Sequence, residues 1–435
     1  MQSPQEREPA RRLLGFIDDS PSPWHAAERM AGALAAAGFV ALRETQPWKL
    51  QPGMGYYVIR GGSSIIAFRL GARPLQGTGL RIAAAHTDSP GLRIKPAGES
   101  IRGAMAMLGV EVYGGPILAS FADRDLTLAG RVLMHTGSGL EERLYRHPTA
   151  LVRLPNLAIH MNRTVNDEGL RFDLQEQLPL ILEYSEASQA PTESRFRERL
   201  AGWLDIPLQS LKSWELAVAD TQPGAFFGPA EEFIAASRLD NLASCHAALE
   251  ALLAVEPVSG LALIACFDHE EVGSGSYHGA AGSFLPDTLA AIAASLGADA
   301  MDLRRELASG WLVSADMAHA YHPNFPAYYD EANAPRVNAG PVIKLNAKQR
   351  YATDAVGDAY FQALCEQAGV PWQRYVHRTN LPCGSTIGPI CATRLGLRTV
   401  DVGAPMWSMH SIRESAGAFD HGHMIRALSA FFAEV

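Results

Sequence analysis

The 435-residue sequence contains no run approaching the roughly 18 consecutive apolar residues that a membrane-spanning helix needs. Its opening stretch, MQSPQEREPARRLLGF, scatters charge where a secretory signal would place an apolar core. Cysteine is scarce: Cys245, Cys266, Cys365, Cys383 and Cys391 stand far apart, an odd count without CxxC spacing. That argues against a disulfide framework and for reduced thiols in a cytoplasmic setting. Positive charge is in deficit as well, with 37 Lys and Arg against 46 Asp and Glu and a formal net charge of −9. A general affinity for nucleic acid or anionic membranes, which needs clustered Lys and Arg, is therefore not expected. The stretch GSGSYHG matches neither phosphate-loop nor dinucleotide-loop spacing. PCGSTIGP has a serine on a glycine-rich turn but lacks the G-x-S-x-G frame of a nucleophile elbow, and reads as a backbone-rich wall. No internal repeat or low-complexity segment is present.

What remains is a compact chain with 47% apolar and 19% charged residues, long enough for two domains or for one domain with an insertion. SPSPWHAAERMAGALAAAGF reads as a helix with Ser22 as N-cap, Pro23 in the first turn and Gly38 as stop. Four apolar runs of strand length end at His86, Phe267, Asp316 and Gly403. Continuous runs of this kind fit strands buried on both faces, and the helical periodicity of NLASCHAALEALLAV and DAVGDAYFQALCEQAG between them gives an α/β pattern. Residues 91–224 differ: GVEVYGGPILASF, LTLAGRVLMH and TALVRLPNLAIHMNR are β-rich, followed by the polar helical stretch SQAPTESRFRERLAGWL. The expectation is a mixed sheet covered by helices, residues 1–90 and 225–435, interrupted by a β-rich inserted domain, 91–224.

Ligands in open α/β sheets gather at the carboxyl ends of strands. Those ends are rich here in metal-ligand types: His86 and Asp88 in HTDSPG, Glu270 and Glu271 in DHEEVG, Asp316 and His319 in SADMAH. Asp240 opens a predicted helix and His410 follows the last strand. Each alone has a plainer reading: Asp240 as a helix cap, His410 as a hydrogen-bonded loop histidine, the glutamate pair as a solvated turn. His25, His246 and His377 are read as structural. Together, carboxylates and imidazoles converging without thiolates suit zinc or another divalent first-row metal, in number enough for two ions. Adjacent glutamates point apart in extended backbone, so one can bind metal while the other handles a proton of the metal-activated water.

The motifs HTDSPGLRIKP, SRLDNLASC, DHEEVGSGS, SADMAHAYHPN, GPVIKLNAKQRYAT, LPCGSTIGP and MHSIRE together resemble the M18 family of metallopeptidases, the aspartyl aminopeptidases. The resemblance implies a zinc-exopeptidase-like fold and an enzyme that removes N-terminal acidic residues from peptides with two divalent ions, zinc first and cobalt or manganese as alternatives. Asp240 would bridge the ions, His86 and Asp316 would complete one site, and Glu271 and His410 the other. Glu270 would be the general base and Asp88 would orient His86. His322 would lie near the substrate carbonyl, and His160 would reach a neighbouring subunit's active site. The resemblance also implies self-association into a tetrahedral homododecamer built from dimers, with the inserted domain used in assembly.

An acidic preference needs a fixed positive charge near the substrate side chain, because a buried unpaired carboxylate is costly. Lys344, flanked by Ile343 and Leu345, is the candidate, with Lys348 and Arg350 as alternatives. The competing readings are a related exopeptidase or deacylase with neutral side-chain preference, a two-metal phosphoesterase, for which no cluster of Arg or Lys stands beside the ligands, and a catalytically silent assembly protein, which would be expected to have lost a ligand or the base.

Overall fold

The computed structural model describes residues 4–75, 77, 79–137, 139–184, 195–256 and 259–434. The chain divides into two compact units. One comprises Met1–Asp88, Gly224–Met409 and Glu414–Val435, the other Ser89–Pro223 with the short segment His410–Arg413.

The larger unit is organised by a nine-stranded mixed sheet. Its four central strands, in the order Leu261–Phe267, Leu80–His86, Trp311–Ala315 and Arg398–Gly403, are parallel to one another. Antiparallel pairing returns on both sides, to Ser64–Leu70 on one and to Val342–Leu345 on the other. Leu261–Phe267 is buried at every residue, as a strand covered on both faces must be. Phe16, Met30, Leu249, Phe361 and Phe432, from helices, cover one face, while Phe284, Leu289 and Cys391 cover the other. A smaller five-stranded sheet, which includes Phe233–Ala236, Glu414–Gly417 and Ala318–His319, completes this unit.

Local signals act as their chemistry dictates. The helix Pro23–Ala36 begins on Ser22, whose side chain accepts from the His25 amide, and Gly38 takes a φ of +84° just past its end. In the helix Leu239–Ala254 the plainer reading of Asp240 as cap fails: Arg238 is the N-cap, in a left-handed conformation, and Asp240 sits inside the first turn with non-helical dihedrals.

The second unit is a six-stranded antiparallel sheet whose core includes Leu92, Leu128, Val132, Leu180 and Leu216. Burial alternates along Met105–Tyr113, leaving one side of that strand less covered. The helix Arg195–Trp203 packs Phe196 and Leu200 into that core. Residues 188–194 of the expected polar helix lie outside the described residues.

Candidate active site

Three neighbouring parallel strands end at one place in the larger unit. His86 is the last residue of Leu80–His86, Asp316 follows Trp311–Ala315, and Glu270 and Glu271 form a short 3-10 turn just past Leu261–Phe267. Asp240 joins them from the helix Leu239–Ala254, after a cis peptide bond to Asn241. One donor atom each from His86, Asp240 and Asp316 lies within 4.8 Å of the other two, and the same holds for His86, Glu270 and Glu271.

Asp88 holds this arrangement together. Its Oδ1 accepts from the Glu270 amide and its Oδ2 from the Glu271 amide, both at 3.1 Å, so one carboxylate fixes the main chain of the glutamate pair. Its carbonyl oxygen accepts from His86 Nδ1 at 3.0 Å. A carbonyl can only accept, so Nδ1 carries a proton, and Nε2, 3.6 Å from Asp240 Oδ1, is the nitrogen that would bind a metal on losing its own proton. The amide of Asp240 donates to Glu414 Oε2 at 3.0 Å, and Asn241 Nδ2 donates to the Ala315 carbonyl at 2.8 Å, tying the helix start to the strand that delivers Asp316. A Cβ at Gly403 would stand 1.8 Å from the Asp316 carbonyl oxygen, so only glycine lets the neighbouring strand lie this close.

Charge is concentrated where water is scarce. Burial pushes the Glu270 carboxyl up to about 7, with Asp316, Asp88 and Asp240 adding to the rise and His86 opposing it. Burial pushes Asp316 up to about 6, opposed chiefly by Lys344. Burial alone would lower His86, yet hydrogen bonds to Asp240 and Asp88 hold it well above the ordinary histidine range. Such a set gives up part of its charge unless a cation is present, and a divalent ion removes that penalty. Imidazole and carboxylate donors without a thiol suit zinc, so the donor set fits the metal expected from sequence.

Lys344 is almost fully buried, its ammonium donating to the carbonyls of Asp316 at 2.8 Å and Met317 at 3.2 Å and lying 3.9 Å from Asp316 Oδ2. The sequence alternatives stand differently: Lys348 and Arg350, with Arg378, line a cavity of about 410 Å³. His322 is half-buried, its Nδ1 accepting from the Asn324 amide and its ring edge-on to Phe325. His319 lies outside both donor sets, against the rings of Tyr375 and His377. Of the histidines read as structural, His25 meets Ser22, His246 meets His421, and His377 meets the Tyr375 hydroxyl.

His160 and His410 belong to the second unit. His160 is exposed on a turn with Leu157, Ile159 and Met161, all exposed too. His410 takes a φ of +70°; its Nδ1 donates to the Gly115 carbonyl at 3.1 Å and its carbonyl accepts from the Ile117 amide. This leaves Nε2 as the nitrogen that would bind a metal, as at His86. Sequence reasoning missed the hold of Asp88 on both glutamate amides, because a bond across 182 residues of sequence leaves no local signal.

Comparison with known proteins gives a consistent result. The family model described as aminopeptidase I zinc metalloprotease (M18) matches residues 16–432. A probable M18 family aminopeptidase 2 of Stutzerimonas stutzeri is 46% identical over 427 residues, covering 97% of each chain. Among solved structures, a chain of the Ape4 and Nbr1 complex superposes with a TM-score of 0.94 at 36% identity, covering 98% of this chain and 86% of that one. A chain of the S. cerevisiae mApe1 dodecamer superposes with a TM-score of 0.85 at 26% identity, covering 98% of this chain and 97% of that one.

Proposed function

The chain belongs to the M18 family of zinc metallo-aminopeptidases, and from that premise we propose that it is a dinuclear enzyme that removes N-terminal residues, preferably Asp or Glu, from peptides. The observation that carries this reading is the buried convergence of His86, Asp240 and Asp316 beside Glu270. His86, Asp240 and Asp316 would hold one ion; Asp240, Glu271 and His410 would hold the second. When bound, the ions supply Lewis-acid polarisation of the scissile carbonyl and lower the pKa of the attacking water.

Glu270 takes the proton of that water and returns it to the leaving amine nitrogen. A carboxylate beside the metal donors is the group suited to both transfers. Asp88 holds the glutamate backbone in place and would keep His86 Nε2 turned toward a bound ion. His322 is assigned to the substrate carbonyl and His160 to a neighbouring subunit's site. Self-association into a tetrahedral homododecamer built from dimers fits the exposed apolar residues around His160 and the dodecamer of the yeast relative. Five free cysteines fit a cytoplasmic location. Among the described residues no helix is long and apolar enough to cross a membrane.

Acidic preference is assigned to positive charge in the larger unit. Lys344 remains the first candidate and acts on substrate charge from a buried position, while Lys348 and Arg350 have a cavity beside them. The test is a panel of aminoacyl chromogenic substrates, run on metal-stripped protein and after adding zinc, manganese or cobalt. Aspartyl and glutamyl substrates should exceed leucyl and alanyl ones in kcat/KM once metal is restored. Lys344→Met should lower the acidic ones by at least about tenfold, roughly 1.4 kcal/mol, and spare the neutral ones. Equal loss on all substrates moves the assignment to Arg350 and Lys348; a wild-type panel without acidic preference refutes it.

A further inference from the structure

The loop that carries the glutamate pair holds a second group of metal-ligand side chains, separate from the donor sets of the active site. Asp268, His269 and His278 each place one donor atom within 4.8 Å of the other two. Asp268 is fully buried; its amide donates to Ser64 Oγ, which donates in turn to the His278 carbonyl, both at 2.8 Å. Its Oδ1 accepts from the His269 amide at 2.8 Å, and its Oδ2 lies 3.7 Å from His269 Nε2. The two imidazole rings meet edge to face with centroids 4.6 Å apart.

Each ring is oriented by a serine. His269 Nδ1 lies 2.7 Å from Ser276 Oγ, and His278 Nδ1 lies 3.3 Å from Ser63 Oγ. Hydroxyls engaging Nδ1 leave Nε2 as the second nitrogen of each ring, the arrangement that outer partners impose on metal-binding histidines, and in His269 that nitrogen is the one near Asp268. The ring of His278 also occupies space that only glycine leaves open: a Cβ at Gly61 would stand 2.0 Å from His278 Nδ1. Two neutral imidazoles and one carboxylate satisfy three positions of a tetrahedral zinc site, with a hydroxyl or water for the fourth.

We propose that Asp268, His269 and His278 bind a further divalent cation of the zinc class, one that pins the loop bearing Glu270 and Glu271 without taking part in the reaction. The ion would close the chain between a strand end and residue 278, reducing the loop's freedom to move the glutamates. The proposal goes beyond the two-ion reading and does not depend on it, because its test is a difference in metal count.

Full-length protein is stripped with chelator, reloaded with zinc, dialysed and analysed for metal per chain. His278→Gln should carry about one ion fewer than wild type. A His86→Ala,His278→Gln double variant should carry fewer than either single variant. Cobalt-loaded wild type minus cobalt-loaded His278→Gln should give the visible spectrum of a single site. Equal counts in wild type and His278→Gln overturn the proposal, as does a loss in His278→Gln that leaves the double variant no lower than His86→Ala. Should His278→Gln fail to fold, His269→Asn decides by the same counts.

Discussion

In the unit built on the nine-stranded sheet, charge goes inward: His86, Asp88, Asp240, Asp316 and Lys344 are all buried. In the unit built on the six-stranded antiparallel sheet, apolar surface goes outward: Leu157, Ile159 and Met161 are 58%, 49% and 76% exposed around His160. Each arrangement is costly in isolation, and each names what would relieve it. Buried carboxylates in this number call for a cation, and an exposed apolar cluster calls for a protein surface. One unit thus asks for a cation and the other for a covering surface, which the proposed self-association would supply.

The comparison breaks first at Glu270. Glu270→Gln keeps size and polarity but cannot accept a proton, so kcat should fall about 10³-fold while metal content holds. Metal lost together with activity would place Glu270 among the ligands and undo the assignment of Glu271. The outward half of the comparison is tested by Leu157→Ser with Met161→Ser. Sedimentation velocity should show smaller species than wild type, with metal per chain unchanged; an intact assembly would mean that this turn is not an interface.

The smallest effect concerns buried polar groups away from the site. His246 Nδ1 and His421 Nε2 stand 2.8 Å apart inside the helical layer. Burial, with Arg12 and Arg29 adding, lowers His246 to about 3, and burial with His246 and Arg12 takes His421 well below the ordinary range. Folded-state values below the unfolded 6.5 mean a contribution fully present above pH 6.5 and lost as pH falls toward 3. Between pH 6.5 and 4 the wild type should lose up to about 1.4 kcal/mol per pH unit through His246, and His421→Asn should show a shallower slope in thermal unfolding. Parallel slopes would remove the pair from the account of acid lability.

Legibility in the sequence follows the range of the interaction. The central strands were readable because burial on both faces leaves a continuous apolar run, and LALIACF is strand from its first residue to its last. The helix after Ser22 was readable because a cap acts within three residues. The plainer reading of Asp240 as a cap fails because its place is set by Glu414 and by the strand beside Asn241, far away in sequence. Lys344 carried a partial signal, an ammonium flanked by Ile343 and Leu345, but nothing local told that its partners would be the carbonyls of Asp316 and Met317. The grouping of Asp268 and His269 with His278 was hidden for the same reason, although two histidines and an aspartate in one serine-rich loop were in view.

Asp88 sets a limit on how this chain can be rebuilt. Loops between strands are ordinarily the parts exchanged when one relative is spliced into another, because their ends are fixed and their interiors tolerate change. The loop after Phe267 is not such a cassette. Its glutamate amides rest on a carboxylate supplied from beyond a different strand end, which also stands 3.4 Å from His86 Nδ1. A chimera that imports residues 268–283 from a relative inherits a working geometry only if the residue at position 88 and its strand come with it.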